Sequence, residues 1–276
     1  MDKKISVIMS AYNEKIDWFE KSLISILNQT IKEIELILII DNPNNIELIN
    51  IAKKYSQKDN RIKLLINNEN KGLVYCLNKG LEMSTTDIIA RMDSDDISEL
   101  NRLKIQLDYL NKYPNCVLCG TQAIFIDEND NILKERDIVP NKFKHIKKVI
   151  KYRNVFYHPS IMFRKKNIID IGGYRDIKYA EDYDLITRLI LNGKEVHNIN
   201  KILLKYRIRN NSITQSNNNI QKNSEKYIKY NLKNNIVDNT KFFLCKDKFT
   251  LKDKIIRKLD RGIYKLNLIF MGENNE

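Results

Sequence analysis

Cysteine is scarce in this 276-residue chain: there are four. That is too few for a disulfide framework, and it places the protein in a reducing compartment, the cytoplasm. Long apolar runs are missing too. A membrane-spanning helix needs about 18 to 20 apolar residues, whereas the longest run here, Ile34–Ile40, has seven residues and is interrupted by Glu35. The N-terminal Met1-Asp2-Lys3-Lys4 leads straight into a strand-like stretch, without the longer apolar segment of a signal peptide. Neither G-x-G-x-x-G nor G-x-x-x-x-G-K-[ST] occurs, so neither a dinucleotide oxidoreductase nor a P-loop NTPase is supported. No internal repeat is present.

What the chain has is positive charge, with 48 Lys and Arg against 35 Asp and Glu, a formal +13. Hydrophobic residues make up 42% and charged residues 30%, the balance of a soluble globular protein. The excess fits nucleic acid, an anionic membrane or an acidic small molecule. It is unevenly spread: residues 216–276 hold 13 basic and 7 acidic residues, a net +6, leaving +7 for the first 215. A polar tract around residues 210–219 coincides with that shift. The expected organisation is therefore a main domain over 1–215 and a basic, mostly helical extension over 216–276.

Over the first hundred residues, strand and helix patterns alternate. Short β-branched runs at 5–9, 35–40, 61–66 and 87–92 read as buried parallel strands, with helices between them carrying Trp18, Leu23, Ile26 and Leu27 at helical spacing, then over 46–57 and 72–83. The order β-α-β-α-β-α-β predicts an α/β fold with a Rossmann-like, mostly parallel sheet flanked by helices. Ligands of such sheets bind beyond the carboxyl ends of the strands. Three polar clusters fall there: Tyr12-Asn13-Glu14, Asp41-Asn42 and Asp93-Ser94-Asp95-Asp96. Further on, Ser98 reads as the cap of a helix carrying Leu103, Leu107 and Leu110. A hairpin is expected across residues 117–136, a helix over 141–152, a strand at 160–163 and a helix over 181–192.

Three carboxylates within four residues repel one another, and a hard divalent cation, Mn²⁺ or Mg²⁺, relieves that repulsion while leaving positions for phosphate oxygens. The alternative for the same residues is an acidic turn before a helix. Cys116-x-x-Cys119 lies on an apolar strand without a second cysteine pair or a histidine cluster, which makes it core packing rather than a metal site.

The segment 89–98 (IARMDSDDIS) resembles the DXD region of family 2 glycosyltransferases of the GT-A fold. Other segments resemble that family in the same order: 6–14 (SVIMSAYNE), 22–30 (SLISILNQT), 70–73 (NKGL) with 77–81 (LNKGL), His158-Pro159-Ser160, Gly172-Gly173-Tyr174 and 181–185 (EDYDL). The resemblance covers roughly residues 4–214. It implies a GT-A fold and an enzyme that transfers sugar from a nucleotide-diphosphate donor, with a UDP-sugar expected, with inversion, in cell-surface glycan synthesis. The expected partners are that donor and a glycan or lipid-linked acceptor, not nucleic acid.

By that resemblance Asp95 is the preferred metal ligand, Asp93 touches ribose or metal, and Asp96 is a reserve ligand. Asp182, beside Glu181, matches the catalytic base, and like charge next to it would raise its pKa toward a useful range. Tyr12, Asn13 and Glu14 line the nucleotide pocket. Where the family carries a pair of Asp, this chain has Asp41-Asn42, so which of the two reads the base stays open. Arg209 stands near the place of a His in many relatives and has two readings, a phosphate partner or a solvated loop residue. His158 is a possible substrate contact, while Lys71 and Arg91 are either near the diphosphate or surface cations.

Between residues 251 and 270, Leu251, Ile255, Leu259, Ile263, Leu266 and Phe270 form an apolar stripe flanked by Lys254, Arg257, Lys258, Arg261 and Lys265. Such a basic amphipathic helix either docks on an anionic membrane or packs on the main domain. With the former reading the enzyme sits on the inner face of the cytoplasmic membrane. Two other functions are weighed. A sugar-nucleotide nucleotidyltransferase needs a Gly-rich loop after the first strand, where this chain has Ala11-Tyr12-Asn13-Glu14. A nucleic-acid-binding protein needs a recognisable basic motif, and none is present.

Overall fold

Residues 34–40 are apolar at every position but Glu35, and all seven side chains are buried in the computed structural model. They form β2 (Ile34–Ile40), an inner strand covered on both faces, as parallel sheets require. The structure describes residues 3–135, 139–209 and 218–237. Around β2 the chain runs β1 (Ile5–Ala11), α1 (Ile16–Leu27), α2 (Ile46–Lys58), β3 (Ile62–Ile66), α3 (Leu73–Met83) and β4 (Ile88–Asp93). This is the alternation that the sequence pattern predicts. β1 lies between β2 and β4, all parallel, pairing Ala11 with Ile40 and Ser10 with Asp93. That register brings the three strand ends level, so the polar clusters that follow them share one edge.

At the opposite end of the sheet sits the one acidic residue of β2. Glu35 is fully buried opposite Ser6, and its carboxylate receives Ser6 Oγ at 2.5 Å, Thr85 N at 2.7 Å and Thr85 Oγ1 at 2.9 Å. Lys63 and Lys3 complete the ring at 2.7 and 3.1 Å. Burial pushes this carboxyl up, but the Lys63, Ser6 and Thr85 bonds outweigh it and hold the pKa at about 2. A carboxylate with a depressed folded-state pKa stabilises the fold above its unfolded value, and that contribution fades as pH falls toward 2. Glu35→Gln is therefore expected to destabilise the protein by roughly 2 kcal/mol at pH 7. In melts followed by circular dichroism, the gap to the parent should narrow steadily below about pH 4.5.

The second half builds outward from β4. Its elements are β5 (Ile97–Ser98), α4 (Arg102–Lys112), β6 (Cys116–Ile126), β7 (Ile132–Glu135), α5 (Phe143–Val149), a 3₁₀ turn (His158–Ser160), β8 (Met162–Arg164), α6 (Lys165–Asp170), α7 (Glu181–Leu191), β9 (Glu195–Arg207) and α8 (Asn218–Asn234). The sheet order is β3-β2-β1-β4-β8-β6-β9-β5, with β7 on β6. β8 is antiparallel to both β4 and β6, while β9 runs parallel to β6.

Several details differ from the sequence expectation. Ser98 does not cap α4 but lies in β5, and the helix starts four residues later. Gln29, just past the end of α1, takes the capping role, its Oε1 accepting Leu103 N at 3.0 Å. α5 is shorter than 141–152, because its last turn closes with Tyr152 N bonded to Val149 O. The 13-residue strand β9 has no regular alternation; its pairing with β6 shifts register three times, which breaks the two-residue period. Cys116 and Cys119 are buried free thiols on β6, as core packing requires.

The boundary expected near residue 215 lies outside the described residues. Beyond it, α8 rests on the main body: Ile228 and Leu232 are buried, and Ser224 Oγ donates to Lys178 O at 2.8 Å. The stripe expected over 251–270 is also outside the described residues. Among the described residues no helix is long and apolar enough to cross a membrane.

Candidate active site

At the end of β4, one carboxylate oxygen from each of Asp93, Asp95 and Asp96 lies within 4.8 Å of the others. Asp95 and Asp96 are buried, whereas Asp93 is half-buried at the mouth. The turn that gathers them is pinned from two sides. Ser22 Oγ of α1 donates to Asp93 O, and Arg207 at the end of β9 donates from Nε to Asp95 O and from its backbone N to Asp96 Oδ1. Burial, and then the charge of Asp93, raises the pKa of Asp95; burial, and then Asp95, raises that of Asp96.

Cations partly answer this repulsion. Arg209 Nη2 lies 2.7 Å from Asp95 Oδ2, and Arg91 is ion-paired with Asp93. Arg209 is thus no solvated loop residue, and Arg91, only 3% exposed, is no surface cation. Asp96 Oδ2 remains buried without a hydrogen-bond partner. A set of hard carboxylate oxygens with one orphaned oxygen fits Mg²⁺ or Mn²⁺.

Within reach of the Arg91 charge stand the first two residues of α7. Glu181 and Asp182 are half-buried, and the charges of Arg91 and Asp93 act on both. Burial pushes Asp182 up to about 6. Burial and then the Asp182 charge push Glu181 up to about 8. Asp182 is fixed in direction: Asn154 Nδ2 donates to its Oδ2 at 2.8 Å and Tyr183 N to its Oδ1 at 2.7 Å.

The segment before α7 is held by Asp184, buried between Arg175 and Arg188. Arg188 also donates to Ile171 O and Gly173 O. Gly173 has φ +71° and passes so close to Asn78 that a Cβ would lie 2.7 Å from Asn78 Oδ1. Asn78 then clamps both backbone groups of Tyr174, whose hydroxyl bonds the Nε2 of buried His158 at 3.1 Å. The matches at 158–160, 172–174 and 181–185 therefore meet around Arg91, because each carries part of one hydrogen-bonded support.

The strand-end register brings the remaining residues to the same edge. Tyr12 is 42% exposed, and its backbone N donates to Glu14 Oε2. Glu14 adds to the negative field on Asp95. Asn42 Nδ2 donates to Asn13 Oδ1 at 2.6 Å. Asp41 is buried, and its carboxylate accepts from Asn67 Nδ2, Lys71 N and Gly72 N at 2.7 to 2.9 Å. It ties down the loop before α3, and Asn42 is the more exposed of the two.

Four supporting residues escape the sequence reading. Arg102 is fully buried behind the acidic turn, donating to Pro159 O at 2.5 Å and Arg91 O at 3.0 Å. A cation at the start of the Leu103–Leu107–Leu110 face was its only signal. Arg207 has no motif of its own. Trp18 looks like one more apolar position of α1, yet Arg207 and Arg209 lie 5.1 and 6.0 Å from its ring. Asn154 is identifiable only by its bond to Asp182.

A half-parallel sheet with carboxylates at its switch edge, faced by an acidic pair on a following helix, defines the GT-A class of glycosyltransferase. Residues 6–172 match the family model of glycosyl transferase family 2, and the chain belongs to that family. It is 37% identical over 216 residues to the O-antigen biosynthesis glycosyltransferase WbnJ of Escherichia coli, covering 77% of this chain and 82% of that one. It is 32% identical over 208 residues to the Escherichia coli UDP-Gal:alpha-D-GlcNAc-diphosphoundecaprenol beta-1,3-galactosyltransferase, 74% of each chain. Among solved structures, the mannosyltransferase PcManGT of Pyrobaculum calidifontis, in complex with GDP-Man and Mn²⁺, superposes with a TM-score of 0.63 at 16% identity. That match covers 78% of this chain and 60% of that one, so this chain spans about three fifths of the solved protein.

Proposed function

We propose that this glycosyltransferase moves a sugar from a UDP-sugar to a hydroxyl of a glycan or lipid-linked acceptor, with inversion, in cell-surface polysaccharide synthesis. The observation that carries the reading is the gathering of the Asp93, Asp95 and Asp96 carboxylates, with one buried arginine, Arg91, paired to Asp93 and acting on the Glu181-Asp182 pair. The relatives named above support the donor class and the setting.

In this reading Asp95, Asp93 and Asp96 hold a divalent cation. When bound, the metal neutralises charge that develops on the leaving diphosphate. Tyr12, Asn13, Glu14 and Asn42 bind the nucleoside, with Asp41 shaping the pocket floor through the loop it anchors. Arg209 exchanges its partner Asp95 for a phosphate oxygen. The acceptor hydroxyl attacks the anomeric carbon from the face opposite the diphosphate, that carbon's bond to the diphosphate oxygen breaks, and the hydroxyl proton passes to Asp182. His158 acts indirectly, by holding Tyr174. The enzyme works peripherally at the inner face of the cytoplasmic membrane.

A panel of UDP- and GDP-sugars, monitored by release of free nucleotide in the presence of Mn²⁺, tests the donor. One UDP-sugar is expected to stand at least about tenfold above the GDP-sugars in kcat/KM; preference for a GDP-sugar would overturn the assignment.

A further inference from the structure

Along α5 the described structure carries a strongly basic face. Residues 139–169 contain no Asp or Glu. Within them Phe143, Lys144, Lys147, Lys148, Lys151 and Tyr152 line an open groove of about 640 Å³ along α5. All four groove lysines are exposed, and among the described residues no acidic side chain pairs with any of them. The field they leave is felt locally: after burial, Lys142, Lys148 and Lys144 are what lower the pKa of His145.

Aromatic rings sit among the cations, with Lys147 5.4 Å from the Phe143 ring and Lys233 of α8 5.5 Å from the Tyr152 ring. Three residues before Lys233, and so on the same side of the helix, Tyr230 is 60% exposed. Just past the helix, Ile236 and Val237 are 38% and 43% exposed. Solvated lysines bordered by exposed aromatic and aliphatic side chains match the two layers of a lipid interface, phosphate above and acyl chain below.

We propose that the α5 groove, together with the end of α8, docks the protein on a membrane surface rich in anionic phospholipid headgroups. Its residues are other than those of the stripe at 251–270. Its location suits the transferase reading, on which only this point rests. Tyr183, next to Asp182, donates its hydroxyl to Ile150 O, and Asn154, three residues after Lys151, holds Asp182. A membrane lying on α5 would therefore present an acceptor hydroxyl close to Asp182.

The test is co-sedimentation of the full chain with vesicles of phosphatidylcholine alone or with about 30% phosphatidylglycerol. Each lysine near an anionic surface contributes on the order of 1 kcal/mol, so joint Lys144, Lys147, Lys148 and Lys151→Gln substitution should lower partitioning at least tenfold. A charge-matched control, Lys32, Lys53, Lys58 and Lys112→Gln, should stay within about twofold of the parent. Melting curves establish that both variants fold. Equal loss in the two variants, or no loss in the first, would overturn the proposal. So would a labelled single-stranded RNA that binds more tightly than the vesicles and is lost with the same four lysines. No donor nucleotide enters the assay, so its outcome is independent of the transfer chemistry.

Discussion

Asp182→Asn is expected to lower turnover about a thousandfold while changing UDP binding by less than about twofold. The size follows from the proposed role: a positioned base that takes the acceptor proton in the transition state contributes on the order of a hundred- to ten-thousandfold. Asn fills the same space but cannot take that proton, and its single oxygen can accept from Asn154 or from Tyr183 N, not from both. The pH profile separates this role from a structural one. A base acts in its ionised form, so with the pKa raised to about 6, kcat/KM should climb as pH rises toward 6 and level off above it. In the Asn variant that acid limb should disappear from the residual rate. An unchanged limb would remove Asp182 from the role. The neighbour provides a contrast: Glu181, pushed up to about 8, keeps its proton at neutral pH. Gln mimics the protonated form, so Glu181→Gln should cost less than about tenfold.

Asp95→Ala is expected to abolish the strengthening of UDP binding by Mn²⁺ and to lower turnover at least about a hundredfold. Asp95 is the central member of the three-carboxylate cluster and the partner of Arg209. Its removal leaves two carboxylates, one of them, Asp93, already paired with Arg91. The fold should survive, because the backbone bonds of the turn run through Asp95 O and Asp96 Oδ1, neither of which the substitution removes. Calorimetric titration of UDP with and without Mn²⁺ gives the answer. If the metal strengthens binding as much in the variant as in the parent, Asp95 is not a ligand. Arg209→Ala offers a second view: nucleotide affinity should fall while the metal response remains, since a guanidinium contacts phosphate but does not coordinate metal.

Much of this site is legible in the sequence because its residues sit where strands stop. The β-branched runs announce β1, β2 and β4, and whatever follows them in a parallel sheet faces the ligand edge. The sequence pattern alone puts Tyr12, Asp41 and Asp93 on one edge. Arg91 was less accessible: its alternation within β4 does not say that its guanidinium is buried and paired with Asp93. Arg102 and Asn154 were out of reach, since each matters through contacts across 11 to 57 residues of chain. Local spacing carries no record of such pairs. β9 was hidden for a related reason, because its three register shifts erase the alternation that marks a strand.

The charge distribution divides in the same way. Sequence alone establishes an excess of cations, an acidic cluster at a strand end and a family pattern in order along the chain, because these depend on which residues are present and how they are spaced. Tertiary structure decides which charges meet. It sets Arg91, Arg207 and Arg209 among the carboxylates, gives Asp41 three internal donors in place of an open pocket, and leaves the α5 lysines without acidic partners among the described residues. Electrostatic effects depend on separation and burial, and both are properties of the folded chain.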